Sequence, residues 1–233
     1  MKAIRIRRGV ARILPERCVQ CGDCFRVCPH GAIRCHTTPL AEVARHKHAV
    51  AAASPTLFSQ FGYKVTPNQV LLALRRLGFD EVVDMGWLCE MNSAAMEEHL
   101  HQHPELRPGI SPSCPAVVRL IANRYPSLLK NILPVLPPRV FAAKVIKERM
   151  APRLGWLPEE VAVFHIAPCA AKMAGPHDPV VMDQPHVDGV ISFSEIYGPL
   201  LSALQGLEEK TTLQKCSGAG IAWAMSGGQA AAV

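Results

Sequence analysis

The chain has 233 residues, of which 49% are hydrophobic and 19% charged, and its formal net charge is +6. This composition supports a buried core in one large domain, or in one domain with a small module, and it excludes long disorder. No stretch reaches the roughly 18 uninterrupted apolar residues of a membrane-spanning helix, and no signal peptide is visible. Nine cysteines without an export signal predict a reducing cytoplasm and cysteines that bind metal rather than form disulfides.

The first 36 residues are predicted to form a compact unit. Residues 2–7 alternate like a strand, and residues 10–14 can pair with them around a turn near Gly9. Their arginines indicate a solvated strand face rather than a nucleic-acid patch, although a basic surface also suits an acidic electron carrier. Residues 37–53 are rich in Thr, His and Ala, and we expect a linker that enters a helix.

Residues 54–233 alternate between strand and helix patterns. Helices are predicted at 66–78, 93–103, 115–125, 139–150 and 194–207, and strands at 79–85, 161–166 and 187–193. This alternation predicts an α/β fold, with a parallel sheet and helices on both faces.

The strongest signal is a run of four cysteines, Cys18, Cys21, Cys24 and Cys28, followed by Pro29. Two-residue spacings let three thiolates point into one pocket, while Gly22 permits a tight turn of the backbone. The spacing is that of bacterial ferredoxins, which bind a 4Fe-4S cluster. Residues 1–36 are therefore predicted to be a small ferredoxin-like α+β module that holds one such cluster.

Two points about this run stay open. A zinc site is the alternative, but it typically uses two separated Cys-x-x-Cys pairs or Cys with His. In two-cluster ferredoxins the fourth cysteine of a run binds the other cluster. Since only one run is present, the fourth ligand is Cys28, Cys35 or a residue of a partner.

A second set of residues lies further along the chain. Cys114 stands at the start of a predicted helix, where the helix dipole favours a thiolate. Cys169 follows a predicted strand, at the sheet edge where α/β proteins bind ligands, and Lys172 can offer its ammonium to an anion. Each cysteine taken alone is more often a buried structural residue.

These residues occur in motifs that resemble those of the iron-iron hydrogenases. Ser-Pro-Ser-Cys-Pro at 111–115 is similar to the family's Thr-Ser-Cys-Cys-Pro, and Ala-Pro-Cys-Ala-Ala-Lys at 167–172 is similar to its Met-Pro-Cys-x-x-Lys. The stretches at 74–80 and 217–228 also fit, in the same order. Residues 54–233 thus resemble the large-subunit catalytic domain, which a ferredoxin-like unit usually precedes.

The resemblance implies a cofactor and roles for particular residues. In that family a 4Fe-4S cubane shares a cysteine with a two-iron centre that carries CO and cyanide. Cys114 and Cys169 correspond to two ligands of the cubane, and Lys172 to a donor that hydrogen-bonds a cyanide. Glu98 matches a glutamate of the family's proton relay, with a solvated helix position as the alternative.

Three departures from the family pattern change the expectation. The motif Glu-x-x-x-Cys-x-Gly-Gly-Cys, which supplies the other two cysteines, does not occur in residues 1–233, so we expect a truncated chain, a fragment or a split protein. Ser113 stands where catalytic forms have a relay cysteine, and a hydroxyl releases a proton far less readily than a thiol with a pKa of about 8.5. Leu133 replaces a hydroxyl residue of the same relay.

These features predict an incomplete iron-iron hydrogenase homologue of the sensory branch, with a front cluster and a second centre only if further cysteines are supplied. The alternatives are a simple 4Fe-4S electron-transfer protein without hydrogen chemistry and a remnant that does not fold stably. The expected partner is a ferredoxin or a signalling protein, with neither nucleic-acid binding nor membrane insertion. His99, His101 and His103 are expected at a solvated helix end, and His165 in the core.

Overall fold

The computed structural model describes residues 2–174 and 187–233. At the front, strands β1 (Ile4–Arg7) and β2 (Val10–Ile13) form an antiparallel hairpin, followed by the short helix α1 (Asp23–Val27). The two turn residues, Arg8 and Gly9, both have positive φ angles, of 51° and 74°. Two-residue hairpin turns of this kind match the twist of the strands they join. The predicted front hairpin is confirmed.

The larger unit is built on a four-stranded parallel sheet in the order β4-β3-β5-β6. Its strands are β3 (His48–Ala53), β4 (Glu81–Asp84), β5 (Val161–Ala167) and β6 (Gly189–Ser192). Since the strands are parallel, their carboxyl ends lie along one edge of the sheet, where loops can form a ligand site.

Helices cover both faces of the sheet, as predicted. Their bounds are α2 (Pro67–Arg76), α3 (Met85–Gln102), α4 (Pro115–Arg124), α5 (Pro138–Val145), α6 (Ala151–Arg153), α7 (Ala170–Ala174), α8 (Phe193–Leu204), α9 (Gly218–Ala222) and α10 (Gly228–Ala231). A π-helical turn, Ile146–Met150, joins α5 to α6 where one continuous helix was predicted. Helices α2 and α8 pack against Phe164 and Ile166, while α3 and α5 pack against Val163 on the opposite face.

The prediction that residues 37–53 form a linker entering a helix is wrong for residues 48–53. Residues 48–53 form β3, which pairs with β4 on one side and β5 on the other. Four of its six residues are alanine, which favours helices over strands in isolation. Pairing on both edges and nearly complete burial of 49–53 override that preference.

Helix α3 starts at Met85, eight residues earlier than the sequence suggested, and follows β4 without a loop. Asp84 caps it, since its Oδ1 accepts a hydrogen bond of 2.9 Å from the backbone N–H of Gly86. Its Oδ2 accepts from the N–H groups of Lys215 and Cys216, at 2.9 and 2.8 Å. This buried carboxylate therefore fixes the segment that leads to α9 and α10 against the start of α3.

Candidate functional site

The cysteine run lines an open cavity of about 830 Å³ between the front hairpin and α7. The thiol-bearing residues on this cavity are Cys18, Cys21, Cys24, Cys28 and Cys35. The loop that carries Cys18 and Cys21 changes direction at Gly22, whose φ is 80°. A Cβ at Gly22 would lie 2.5 Å from the Cβ of Ala170, so the turn and the contact with α7 both need glycine.

The chemistry of this cavity fits an iron–sulfur cluster. Its donors are thiols, and backbone N–H groups around Cys28 point at its sulfur. Hydrogen bonds from the N–H groups of Ala32 and His30, in that order, hold the pKa of Cys28 below its usual value. Such N–H groups stabilise a thiolate, which is the form of cysteine that binds iron.

A single metal ion is a poor fit to the same residues. In residues 2–174 and 187–233, no three His, Cys, Asp or Glu side chains converge closely enough to hold one ion. The thiolates of a cubane bind different iron atoms and therefore stand further apart than the ligands of one ion.

Two of the candidates for the fourth ligand of the front cluster, Cys28 and Cys35, face the cavity, and a residue of a partner is the third. Burial raises the pKa of Cys35, and the thiols of Cys24 and Cys169 raise it further. Cys35 therefore lies near both the front loop and the residue that follows β5.

The second site is an inner cavity of about 280 Å³ at the carboxyl edge of the sheet. Ser54 enters it directly after β3, Met85 after β4 and Cys169 after β5. Its remaining lining residues are Pro55, Thr56, Cys89, Ser113, Cys114, Pro138, Arg139, His165, Lys172, Trp223 and Gln229. The fold thus brings together Ser113, Cys114, Cys169 and Lys172, which the sequence predicted from separate motifs.

Cys114 is the N-cap of α4, and a short hydrogen-bonded network holds the loop before it. The Ser111 hydroxyl donates to the Ser113 hydroxyl at 2.9 Å and accepts from the Ser113 N–H at 3.2 Å. The amide of Gln229 donates to the Ser113 hydroxyl at 3.1 Å and also to that of Ser111. Helix α10 thereby closes one wall of the cavity.

The inner cavity carries two cationic side chains. Burial lowers the pKa of Lys172, while the nearby Cys169 thiol counteracts that shift. Burial also lowers the pKa of Arg139, and its Nη1 is buried without a hydrogen-bond partner. A buried cation with an unused donor favours an anionic occupant.

Two other predicted residues lie away from this cavity. Glu98 is exposed on α3, where its carboxylate accepts a hydrogen bond from Gln102 one turn later. This is the solvated helix position given as the alternative to a relay. Leu133 is buried, with 3% of its surface exposed, and is not among the residues that line the cavity.

Sequence reasoning gave no place in the site to four residues of the cavity wall, namely Cys89, Arg139, His165 and Gln229. Cys89 and Gln229 belong to no recognisable motif, and Arg139 was interpreted only as part of a helix. The placement of His165 inside an apolar strand was predicted correctly, and 1% of its surface is exposed. Only the topology reveals that this strand ends beside the cavity.

Comparison with known proteins identifies the family. The model of the iron-only hydrogenase large subunit, C-terminal domain, matches residues 47–233, and a 4Fe-4S binding domain model matches residues 10–33. The chain belongs to the iron-only hydrogenase large-subunit family. The front match also agrees with the predicted cluster-binding unit.

Two curated relatives of this family member are hydrogenases. It is 28% identical over 204 residues to iron hydrogenase 1 of Clostridium pasteurianum, which covers 79% of this chain and 35% of that protein. The NADP-reducing hydrogenase subunit HndD of Solidesulfovibrio fructosivorans is also 28% identical over 204 residues, with 77% and 34% covered. The chain therefore spans about a third of the length of these relatives.

Solved structures agree with the sequence comparison. A variant of the FeFe-hydrogenase HydA1 from Chlamydomonas reinhardtii superposes with a TM-score of 0.59 at 26% identity, over 72% of this chain and 48% of that one. Within the part of the family member that the structure describes, no helix is long and apolar enough to cross a membrane. No disulfide joins any of the nine cysteines, all of which lie in that part.

Proposed function

We propose that this chain is a cytoplasmic iron–sulfur redox protein of the sensory type. It would hold a 4Fe-4S cluster on Cys18, Cys21, Cys24 and Cys28, and this cluster would exchange electrons with a second centre in the inner cavity. By correspondence with the family motifs, Cys114 and Cys169 would bind a second centre there, and Lys172 would hydrogen-bond an anionic ligand of it. That centre would supply reversible hydrogen chemistry. The protein's own residues bind it, exclude water and balance its charge.

The observation that supports this proposal most is the contact between the two sites. Gly22, inside the cysteine run, packs directly on Ala170, the first residue of α7. Cys169 immediately precedes that residue, and Lys172 lies on the same helix. A single short helix therefore separates the front cavity from the inner one, which suits electron exchange between them.

The sensory assignment depends on proton transfer. Ser113 carries a hydroxyl where catalytic relatives are expected to have a thiol, and this hydroxyl is engaged by Ser111 and Gln229. Glu98 points to solvent from α3, and Leu133 offers no exchangeable proton. A site without an efficient proton path favours slow reaction and signalling over turnover.

The same proposal includes a partner protein that receives electrons or a signal from the front cluster. The hairpin carries four arginines, Arg5, Arg7, Arg8 and Arg12, and none of them forms an ion pair with a described residue. Ile6 and Val10 between them are 76% and 55% exposed. A basic surface with exposed apolar residues beside a redox cluster fits an acidic electron carrier or signalling protein.

The test is to add hydrogen to oxidised protein that has been purified anaerobically from its own cells, and to follow the front cluster by electron paramagnetic resonance. Reduction of the front cluster by hydrogen, with turnover far below that of a catalytic hydrogenase, is the expected result. Infrared bands of CO and cyanide would identify the two-iron centre independently.

A second candidate is simple electron transfer by the front cluster without hydrogen chemistry. Neither Glu98 nor Leu133 lines the inner cavity, so neither of these relay positions supplies a proton path to it. This observation favours the second candidate. A front cluster that dithionite reduces and hydrogen does not would select this candidate.

A further inference from the structure

Four side chains on the inner cavity have the chemistry of iron–sulfur ligands. They are Cys89, Cys114, His165 and Cys169. They come from separate places in the fold, namely the second turn of α3, the N-cap of α4, the interior of β5 and the loop after β5. Cys114 and Cys169 lie in the family motifs, whereas Cys89 and His165 have been assigned no role so far.

His165 is held in the form that binds metals. Its Nδ1 lies 3.2 Å from the carbonyl oxygen of Ala52. Because a carbonyl only accepts, Nδ1 carries the proton and Nε2 keeps its lone pair. Nε2 is buried without a hydrogen-bond partner. A backbone carbonyl that orients the ring from behind is the usual arrangement for a metal-binding imidazole.

The unused acceptor on His165 needs an explanation, because burying a polar atom without a hydrogen-bond partner is unfavourable. The ionisable groups that line the cavity with it are the cations Lys172 and Arg139 and the three thiols. A metal cluster would satisfy the Nε2 lone pair, and the two cations would offset the negative charge of its thiolates.

Cys89 adds a third thiol to the cavity wall. It is 3% exposed and lies on α3, and it lines the same cavity as Lys172. Cys216 provides a contrast, because it is also buried near the start of α3 but does not line the cavity, and its N–H is bonded to Asp84.

We propose that Cys89 and His165 complete, with Cys114 and Cys169, the ligand set of a second iron–sulfur cluster in the inner cavity. The inference rests on the proposed function for the roles of Cys114 and Cys169, and it adds two ligands from this chain itself. In such a cluster each of the four ligands would bind a different iron atom. Imidazole is an established ligand of such clusters.

The binding step is a ligand exchange and involves no oxidation. Each of the three thiols releases its proton to solvent as its sulfur binds iron, and the neutral imidazole donates its Nε2 lone pair. Ferrous and ferric iron in equal amounts, together with sulfide, are the reagents supplied during anaerobic reconstitution, so a cubane of two ferrous and two ferric ions forms without a further oxidant.

The experiment counts iron and sulfide in the reconstituted full chain and in variants. We expect about eight irons per wild-type chain, and about four in Cys89→Ala and in His165→Gln, because the front cluster is retained. The matched controls, Cys216→Ala and the surface variant His101→Gln, should keep about eight. Circular dichroism of each variant checks that the loss of iron does not follow from unfolding.

A measurement on the wild type makes the test independent of folding defects. Pulsed electron paramagnetic resonance on protein labelled with 15N-histidine should show a strong nitrogen coupling to the inner cluster, and the same coupling in His101→Gln. Absence of that coupling, or eight irons retained in Cys89→Ala, would overturn the inference. About four irons in the wild type would also overturn it while leaving the front cluster intact, whereas no iron at all would overturn the proposed function as well.

Discussion

The front cysteine loop and the inner cavity both present thiols, but the chain builds them in different ways. The front loop takes its four cysteines from residues 18–28 and holds them on a half-exposed surface. The inner cavity collects Cys89, Cys114 and Cys169 from three separate elements at a sheet edge. A local spacing defines the first site, whereas the parallel topology defines the second.

The difference extends to stability. The front unit contributes few buried side chains, and Ile6, Val10 and Ile13 of its hairpin are exposed. Such a small unit depends on its cluster for folding energy. The inner cavity stands on a closely packed core, in which Val163, Ile166 and Leu88 are fully buried. Changes near the inner cavity should therefore affect the free energy of unfolding of the whole larger unit.

The largest expected effect comes from Asp84→Ala. This change leaves three backbone N–H groups, those of Gly86, Lys215 and Cys216, without their acceptor, and the hydrogen bonds of Gly86 and Cys216 are buried. We expect a loss of about 3 kcal/mol or more in the free energy of unfolding, which lowers Tm by roughly 6–12 °C. Differential scanning calorimetry measures this shift.

The control for that experiment is Asp23→Ala in the front unit, whose ion pair with Arg26 is exposed. It should leave Tm almost unchanged, because exposed pairs contribute little. Equal shifts in the two variants would show that the front and inner regions do not differ as described.

A smaller effect is expected on partner binding when the front hairpin is altered. The double variant Arg7→Glu, Arg8→Glu reverses two charges and should slow electron exchange with an acidic ferredoxin about tenfold at low salt. Stopped-flow kinetics at increasing ionic strength should bring the variant and the wild type together. The control, Arg153→Glu, lies outside the hairpin, and a tenfold decrease there would argue against a specific docking face.

Gln229→Leu tests whether α10 is coupled to the inner cavity. It removes the amide that donates to Ser111 and Ser113, and we expect a loss of about 1 kcal/mol in unfolding free energy. Chemical denaturation should detect this loss. Gln102→Leu is the control, since its amide bonds to exposed Glu98, and an equal loss in that variant would refute the coupling.

The smallest effect is expected for the surface pair Lys47–Glu160. The ion pair of 2.7 Å lowers the pKa of Glu160, mainly through the hydrogen bond from Lys47. Because Glu160 titrates below its usual range in the fold, any stabilisation is present at neutral pH and is lost as the pH falls through that lowered value. Glu160→Gln should therefore change Tm at pH 7 by no more than about 2 °C, and a larger decrease would show that the pair has a structural role.

Part of the fold could be predicted from short segments of the sequence. Thr66 and Gln69 form a capping box with both hydrogen bonds at 3.0 Å, and the helix starts at Pro67, within one residue of the predicted start. The cysteine run and the hairpin were equally local. These elements could be predicted because neighbouring residues alone determine them.

The remaining features depend on contacts between distant residues. The alanine-rich strand β3 exists because β4 and β5 pair with it, which no pattern within 48–53 indicates. Cys89 and His165 reach the inner cavity because α3 begins and β5 ends at the same sheet edge, and neither belongs to a motif. Glu98 matched a relay position by sequence, but the helix turns it towards solvent.

Iron and sulfide analysis of anaerobically reconstituted Cys21→Ser beside the wild type tests the front cluster most directly. We expect the wild type to be coloured, with broad visible absorption, and the variant to lose about four irons and the matching sulfide per chain. A colourless wild type, a preference for zinc over iron, or an unchanged iron content in Cys21→Ser would contradict the account.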